Sequence, residues 1–151
     1  MSRKDSVAAG LARGAVGAMA MTGLRQLTTG LGLVKKTPPD AVLRKSTGGL
    51  IGLLPKKRRQ AGMELAHWAF GGVSGAVFGA LPENVRSRRW AGPVYGLAIW
   101  LSFELAIAPV LGLKHAKRPR PLERVALAGD HVLYGLVIGV RRDKASSPPP
   151  A

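Results

Sequence analysis

The chain has no cysteine, few aromatic residues and few acidic ones. Without cysteine it can form no disulfide bond and offers no thiolate to a metal ion. Aromatic residues make up only 5% of the 151 residues, whereas soluble cores take much of their buried area from such side chains. The apolar content, 46% of the chain with 20 glycines, is instead largely aliphatic and small. This composition is typical of transmembrane helices, whose backbones pack closely through small residues.

The charge is strongly one-sided, with 23 Lys and Arg against 8 Asp and Glu. Such an excess fits either nucleic acid or anionic lipid headgroups. Because the basic residues stand at the ends of apolar segments, we expect anionic lipid of the bilayer as the partner and no nucleic acid. The residues predicted to contact headgroups are Lys56, Lys57, Arg58, Arg59, Arg88, Arg89, Lys117, Arg118 and Arg120.

Four apolar segments have the length needed to cross the bilayer hydrocarbon, about 20 residues of helix. We therefore predict an all-α fold, an integral membrane bundle of four transmembrane helices in one domain, 1–145. The first segment is the weakest because Arg13 and Arg25 interrupt it. The predicted spans are about 7–34, 62–81, 90–113 and 121–140.

The segments outside the spans are basic or low in complexity. The connection 35–61 contains a short apolar run, 48–54, and is predicted to lie in the membrane interface. The Ser/Pro-rich tail 146–151 is predicted to be disordered. A secretory signal peptide and a mitochondrial transit peptide are alternative interpretations of the N-terminus. Basic residues occur on both sides of the predicted membrane, so the positive-inside rule leaves both orientations open.

The second and fourth spans share one motif: His, two residues, an aromatic residue, Gly, three residues, Gly. It begins at His67 and again at His131. On a helix the His and its glycines recur every four residues and share one face, which suits close packing against a neighbouring helix. The glycines predicted to pack in this way are Gly71, Gly75, Gly79, Gly96, Gly135 and Gly139.

The first and third spans also align when Gly17 is set on Gly96. The two alignments together suggest two repeated helical hairpins, related by a pseudo-twofold axis along the membrane normal. The same alignment sets Arg25 on Glu104, which raises the hypothesis that these opposite charges form a buried pair. The competing partners for Arg25 are Glu64, Asp130 and Glu123.

Charged and imidazole side chains are costly in hydrocarbon, so those inside the spans are candidate functional positions. The sequence contains no catalytic triad, phosphate-binding loop or cluster with metal-ligand spacing, so we expect no enzyme, cofactor or metal. One hypothesis is proton handling or small-solute transport along a polar His/Glu path. The alternative is a non-catalytic scaffold that docks a second copy or another membrane protein through its glycine faces. The candidates are Arg25, Glu64, His67, Glu104, Asp130 and His131.

Several of these motifs occur together in one known family. They are His67 with Phe70-Gly71 and Gly75, Tyr95-Gly96 with Trp100 and Glu104, Pro109 through Leu111-Gly112-Leu113, His131 with Tyr134-Gly135, and Thr37-Pro38-Pro39. In these residues the chain resembles the YagU-like family of small bacterial inner-membrane proteins, a domain of unknown function. The resemblance covers most of residues 7–142 and implies a helical fold in the bacterial inner membrane. It implies no biochemical activity.

Overall fold

The structure is a computed structural model that describes residues 3–32, 53–107 and 121–140, and all regular elements in these ranges are helical. The predicted all-α class is therefore confirmed for this part of the chain. In chain order the elements are α1 (Arg3–Gly30), α2 (Lys56–Ala80), α3 (Glu83–Arg86), α4 (Ala91–Ser102) followed by a π-helical turn (Phe103–Ile107), and α5 (Pro121–Gly139).

Proline and glycine account for two helix ends that differ from the predicted spans. α2 begins at Lys56, directly after Pro55, whose ψ of 140° is extended. The basic stretch from Lys56 to Arg59 is therefore the first turn of a helix rather than part of the interfacial connection. α1 ends at Gly30, and Gly32 then takes a φ of 71°, which favours a residue without Cβ.

Some predicted segments lie outside the described residues. These are 33–52, which holds most of the interfacial connection, 108–120 at the end of the third span, and 141–151 with the tail. α5 lies where the sequence places the fourth span, and α4 continues through the π-helical turn as far as Ile107.

α1 and α2 form an antiparallel hairpin along a seam of glycines. A Cβ on Gly14 would overlap the carbonyl oxygen of Gly71 and lie 2.9 Å from the Cα of Gly75. Gly10 approaches Gly75 and Gly79 in the same way one turn earlier. Because no side chain fits between these backbones, the predicted glycine strip of α2 packs against α1.

α4 and α5 form a second antiparallel hairpin with the same kind of seam. A Cβ on Gly92 would overlap the carbonyl oxygen of Gly135 and lie 3.2 Å from the Cα of Gly139. One on Gly96 would overlap the carbonyl oxygen of His131. The glycines predicted for packing in both hairpins thus meet backbone of the same chain.

The two seams repeat each other, but not in the register that the alignment of the first and third spans predicts. The contacts of Gly14 in the first seam match those of Gly92 in the second, 78 residues later. The alignment of Gly17 with Gly96 is therefore wrong by one residue. In a sequence so rich in Ala and Gly, neighbouring offsets match almost equally well, and the approach of the backbones decides between them.

Side chains, rather than glycine backbones, join the two hairpins. The hydroxyl of Tyr134 donates to the carbonyl oxygen of Gly71 at 2.6 Å, and the hydroxyl of Tyr95 donates to the carbonyl oxygen of Ser74 at 2.9 Å. Gly17 gives the Tyr134 ring its space, since a Cβ there would lie 2.8 Å from the ring. The buried apolar residues around these contacts are Met21, Phe78, Ala91, Tyr134 and Ile138.

The distribution of residues differs from that in a soluble bundle. About half of the buried positions in the described residues are glycines, and the others are a small group of apolar residues and three polar ones, Ser6, Ser74 and Asp130. Large aliphatic side chains lie on the outside, more than half exposed, among them Val16 at 57%, Leu27 at 65%, Leu65 at 60%, Val73 at 61%, Leu105 at 75% and Val125 at 68%.

One described helix, over Lys4–Gly30, is long and apolar enough to cross a membrane by length and composition. This is the segment that the sequence makes the weakest of the four. Ala91–Ala106 is apolar but shorter. α5 carries Glu123, Arg124 and Asp130 within its 19 residues, which lowers its apolarity.

Candidate functional site

An ion pair with a buried carboxylate links α1 to α5. Nη2 of Arg25 lies 2.6 Å from Oδ2 of Asp130, and Nε donates to the same oxygen at 3.2 Å. The Asp130 side chain is 5% exposed and that of Arg25 is 40% exposed. A hydrogen-bonded pair of this kind holds a carboxylate in an environment where an isolated charge would be very costly.

Two histidines complete a group that we call the polar cluster: Arg25, His67, Asp130 and His131. Nδ1 of His131 lies 2.8 Å from the carbonyl oxygen of Leu127. Because a carbonyl only accepts, Nδ1 carries the proton, and Nε2 of the neutral ring is left as an acceptor. His67, exposed on α2, interacts electrostatically with the other three members. Three helices thus bring together one acid, one guanidinium and two imidazoles.

The hypothesis of an Arg25–Glu104 pair is wrong, and Asp130, one of the three competing partners, takes the place of Glu104. Glu104 lies in the π-helical turn, and its Oε2 is 3.8 Å from Nη2 of Arg124 on α5. The reason is the packing of the helices: α1 packs against α2 and α5, whereas Glu104 lies in the turn that continues α4. Glu64 lies apart from the pair and accepts from Gln60 on the same helix at 3.4 Å.

Hydrogen bonds of aromatic side chains flank the polar cluster, and no pattern in the sequence predicts them. Nε1 of Trp68 donates to Oγ1 of Thr22 at 3.2 Å, between α2 and α1. Tyr134 lies one turn from Asp130 and bonds α2 from the other side. One feature of the sequence could have indicated the Tyr134 contact. Tyr134 stands directly before the motif glycine Gly135, so its ring must lie near the seam.

The predicted headgroup contacts lie at both ends of the hairpins. Lys57 and Arg58 are exposed on the first turn of α2, and Arg88 and Arg89 are exposed between α3 and α4. Arg59 donates through Nε to the carbonyl oxygen of Leu54 at 3.1 Å. Lys56 begins α2, whereas Lys117, Arg118 and Arg120 lie outside the described residues.

Within residues 3–32, 53–107 and 121–140, no group of three or more His, Cys, Asp or Glu side chains is placed to hold a metal ion. Comparison of the chain with protein-family models, with curated proteins and with solved structures finds no match. The YagU-like resemblance therefore stays a prediction, and functional inference depends on the chain's own geometry.

Proposed function

We propose that this chain is a multi-pass integral membrane protein of the bacterial inner membrane, crossing the bilayer with α1, α2, α4 and α5. The support is the arrangement of close-packed glycines with a small apolar cluster and three polar residues inside, and of many large aliphatic side chains outside. In water such a bundle would expose its best hydrophobic surface and bury little. In lipid the same surface contacts acyl chains, and packing of small residues holds the helices together.

Within the bilayer, the polar cluster is proposed to handle protons. The observation that carries this function is the Arg25–Asp130 pair with two imidazoles in electrostatic range. Histidine changes charge near neutral pH, so His67 and His131 can take up and release protons. The fixed tautomer of His131 leaves Nε2 as the accepting atom. An ionisable group held inside a membrane bundle is a functional position by default, because its cost must be compensated.

The test is proton flux in liposomes. The purified protein, reconstituted in neutral lipid with a pH-sensitive dye inside, should dissipate an imposed pH gradient faster than empty vesicles. Asp130→Asn and His131→Gln should each abolish this excess flux. Glu83→Gln is the matched control, because Glu83 is exposed at the start of α3 and remote from the cluster along the chain. Wild-type vesicles that hold their gradient as long as empty ones would refute proton handling.

The scaffold alternative keeps one supporting observation, the exposed basic residues at both ends of the hairpins. Its glycine faces, however, are those that pack α1 on α2 and α4 on α5. A partner or a second copy would therefore have to dock on aliphatic side chains instead. We assign no catalytic reaction to either proposal.

A further inference from the structure

Two N–H groups, on Arg25 of α1 and Trp100 of α4, have no hydrogen-bond acceptor among the described residues. Arg25 uses Nε and Nη2 on one carboxylate oxygen, and Nη1 makes no hydrogen bond to a described residue. Nε1 of Trp100 is buried and likewise has no partner within the described chain. A buried donor without an acceptor costs about 1–3 kcal/mol, so such a group needs an explanation.

These unmatched donors lie on two helices that pack against α5. Gly96 abuts the carbonyl oxygen of His131, and Trp100 lies one turn later on the same face of α4. Arg25 reaches Asp130, the neighbour of His131, from α1. Trp100 on α4 and Arg25 on α1 therefore lie level with neighbouring turns of α5, and His67 on α2 interacts electrostatically with Arg25, Asp130 and His131.

We propose that this place binds a small oxyanion, a carboxylate or a phosphate group, held by Arg25, Trp100 and His67. A guanidinium matches the two oxygens of such a group, and an indole N–H only donates, so the ligand must supply acceptors. The only carboxylate in the cluster is already engaged by Arg25. This inference deepens the proposed function by naming a ligand class for the same cluster.

Charge balance ties the anion to a proton. Arg25 and Asp130 neutralise each other, so a bound monoanion adds one negative charge at a position where uncompensated charge is costly. His67 and His131 are the groups on α2 and α5 that can offset it by protonation. Among the other charges on the packed helices, Glu104 and Arg124 form their own pair, Glu64 accepts a hydrogen bond from Gln60 on α2, and Glu123 lies two turns before Asp130 on α5. The anion should therefore enter together with about one proton.

The experiment follows the fluorescence of Trp100 in a Trp68→Phe/Trp90→Phe background, in neutral detergent and at constant ionic strength. Sodium acetate and inorganic phosphate are the probes, with chloride as the baseline salt. We expect a saturable fluorescence change with at least one oxyanion, accompanied by proton uptake in weakly buffered solution. A change that only follows ionic strength, or no change with any probe, would overturn the proposal.

Matched variants separate binding from folding. Arg25→Gln should weaken binding at least about tenfold, equivalent to about 1.4 kcal/mol. Arg13→Gln, three turns earlier on α1, should leave it unchanged. His67→Gln changes an exposed residue, so it should weaken binding without lowering the melting temperature. Equal affinity in the Arg13 and Arg25 variants, or an unaffected His67 variant, would remove these residues from the site and refute it.

A last arm identifies the source of the anion. Micelles doped with phosphatidylglycerol test a lipid phosphate against the free probes. A response to this lipid that acetate and phosphate do not compete with would retain the site and assign it to a headgroup. Proton flux is measured separately, so a protein that binds acetate but leaves a pH gradient intact keeps this site and loses the proposed proton handling.

Discussion

The two hairpins share a backbone plan and differ in the side chains that project from it. At equivalent positions, 64 residues apart, Phe70 of the first hairpin is 54% exposed and Tyr134 of the second is 3% exposed. The second hairpin inserts Tyr134 and Tyr95 into the first, which offers the space at Gly17 and two backbone carbonyls. The residues that the two hairpins share therefore form the glycine seams, and the residues that differ between them form the contacts from one hairpin to the other.

The charges follow the same rule. Arg25 belongs to the first hairpin, and the position equivalent to it in the second, Phe103, carries no charge. Asp130 likewise has no acidic counterpart in the first hairpin, where the equivalent residue is Ala66. The polar cluster thus exists only because the hairpins differ. Substitutions in the shared seams should therefore lower the stability of the fold most. Substitutions in the contacts that differ between the hairpins should lower it progressively less.

The largest effect is expected from a bulky residue in a seam. Gly14→Leu would force a side chain into the backbone of Gly71, so the hairpin must separate. We expect a loss of more than about 3 kcal/mol, or failure to fold, measured as melting temperature and elution volume in detergent. Gly75→Leu should act in the same way from α2. The control is Gly23→Leu in α1, since a Cβ at Gly23 meets no atom within 4 Å.

A Gly14 variant that melted like the Gly23 variant would show that the two backbones are not in contact. The same result would remove the basis for treating the hairpins as a structural repeat.

The four-residue spacing was sufficient to place the α2 and α5 sides of the seams, because it fixes which residues share a helix face, but it did not assign Gly10, Gly14 and Gly92 on the facing helices. It was insufficient to choose the partner of Arg25. That choice depends on which helices pack against α1, and because α1 packs against α2 and α5, Arg25 meets Asp130 of α5. The tyrosine contacts between hairpins were missed for another reason. A single hydroxyl bonding to a backbone carbonyl leaves no periodic pattern, so only the packed structure reveals it.

A smaller effect is expected from the ion pair between the hairpins. Asp130→Asn leaves Arg25 without its partner, and Arg25→Met leaves the Asp130 carboxylate without its counter-charge. Because the Arg25 side chain is 40% exposed and that of Asp130 only 5%, we expect a loss of about 2 kcal/mol for Asp130→Asn and a larger loss for Arg25→Met. The double variant should recover part of the loss, as coupled residues do. Stability of the four forms in one detergent measures this, and additive losses would mean that the two residues do not meet.

Tyr134→Phe should cost about 1 kcal/mol, the usual net contribution of one hydrogen bond. It removes the hydroxyl that donates to Gly71 and keeps the ring beside Gly17. The comparison is Phe70→Leu at the equivalent exposed position, which should change stability by no more than about 0.5 kcal/mol. Thermal melting of both variants measures this difference in stability. Equal losses of stability would show that the hydroxyl does not join the hairpins.

The smallest effect is expected at Glu104, although the sequence makes it the counterpart of Arg25. Its carboxylate is 3.8 Å from Arg124, and the two side chains are 27% and 58% exposed. Partly exposed pairs at this distance contribute between about 0 and 1 kcal/mol, because solvent and headgroups screen them. The Glu104→Gln variant should therefore have a melting temperature close to that of the wild-type protein and well above that of Asp130→Asn. Glu104→Gln combined with Arg25→Met should show additive losses, since the two residues belong to different pairs. A loss at Glu104 as large as that at Asp130, relieved by Arg25→Met, would mean that Arg25 turns to Glu104 in the membrane.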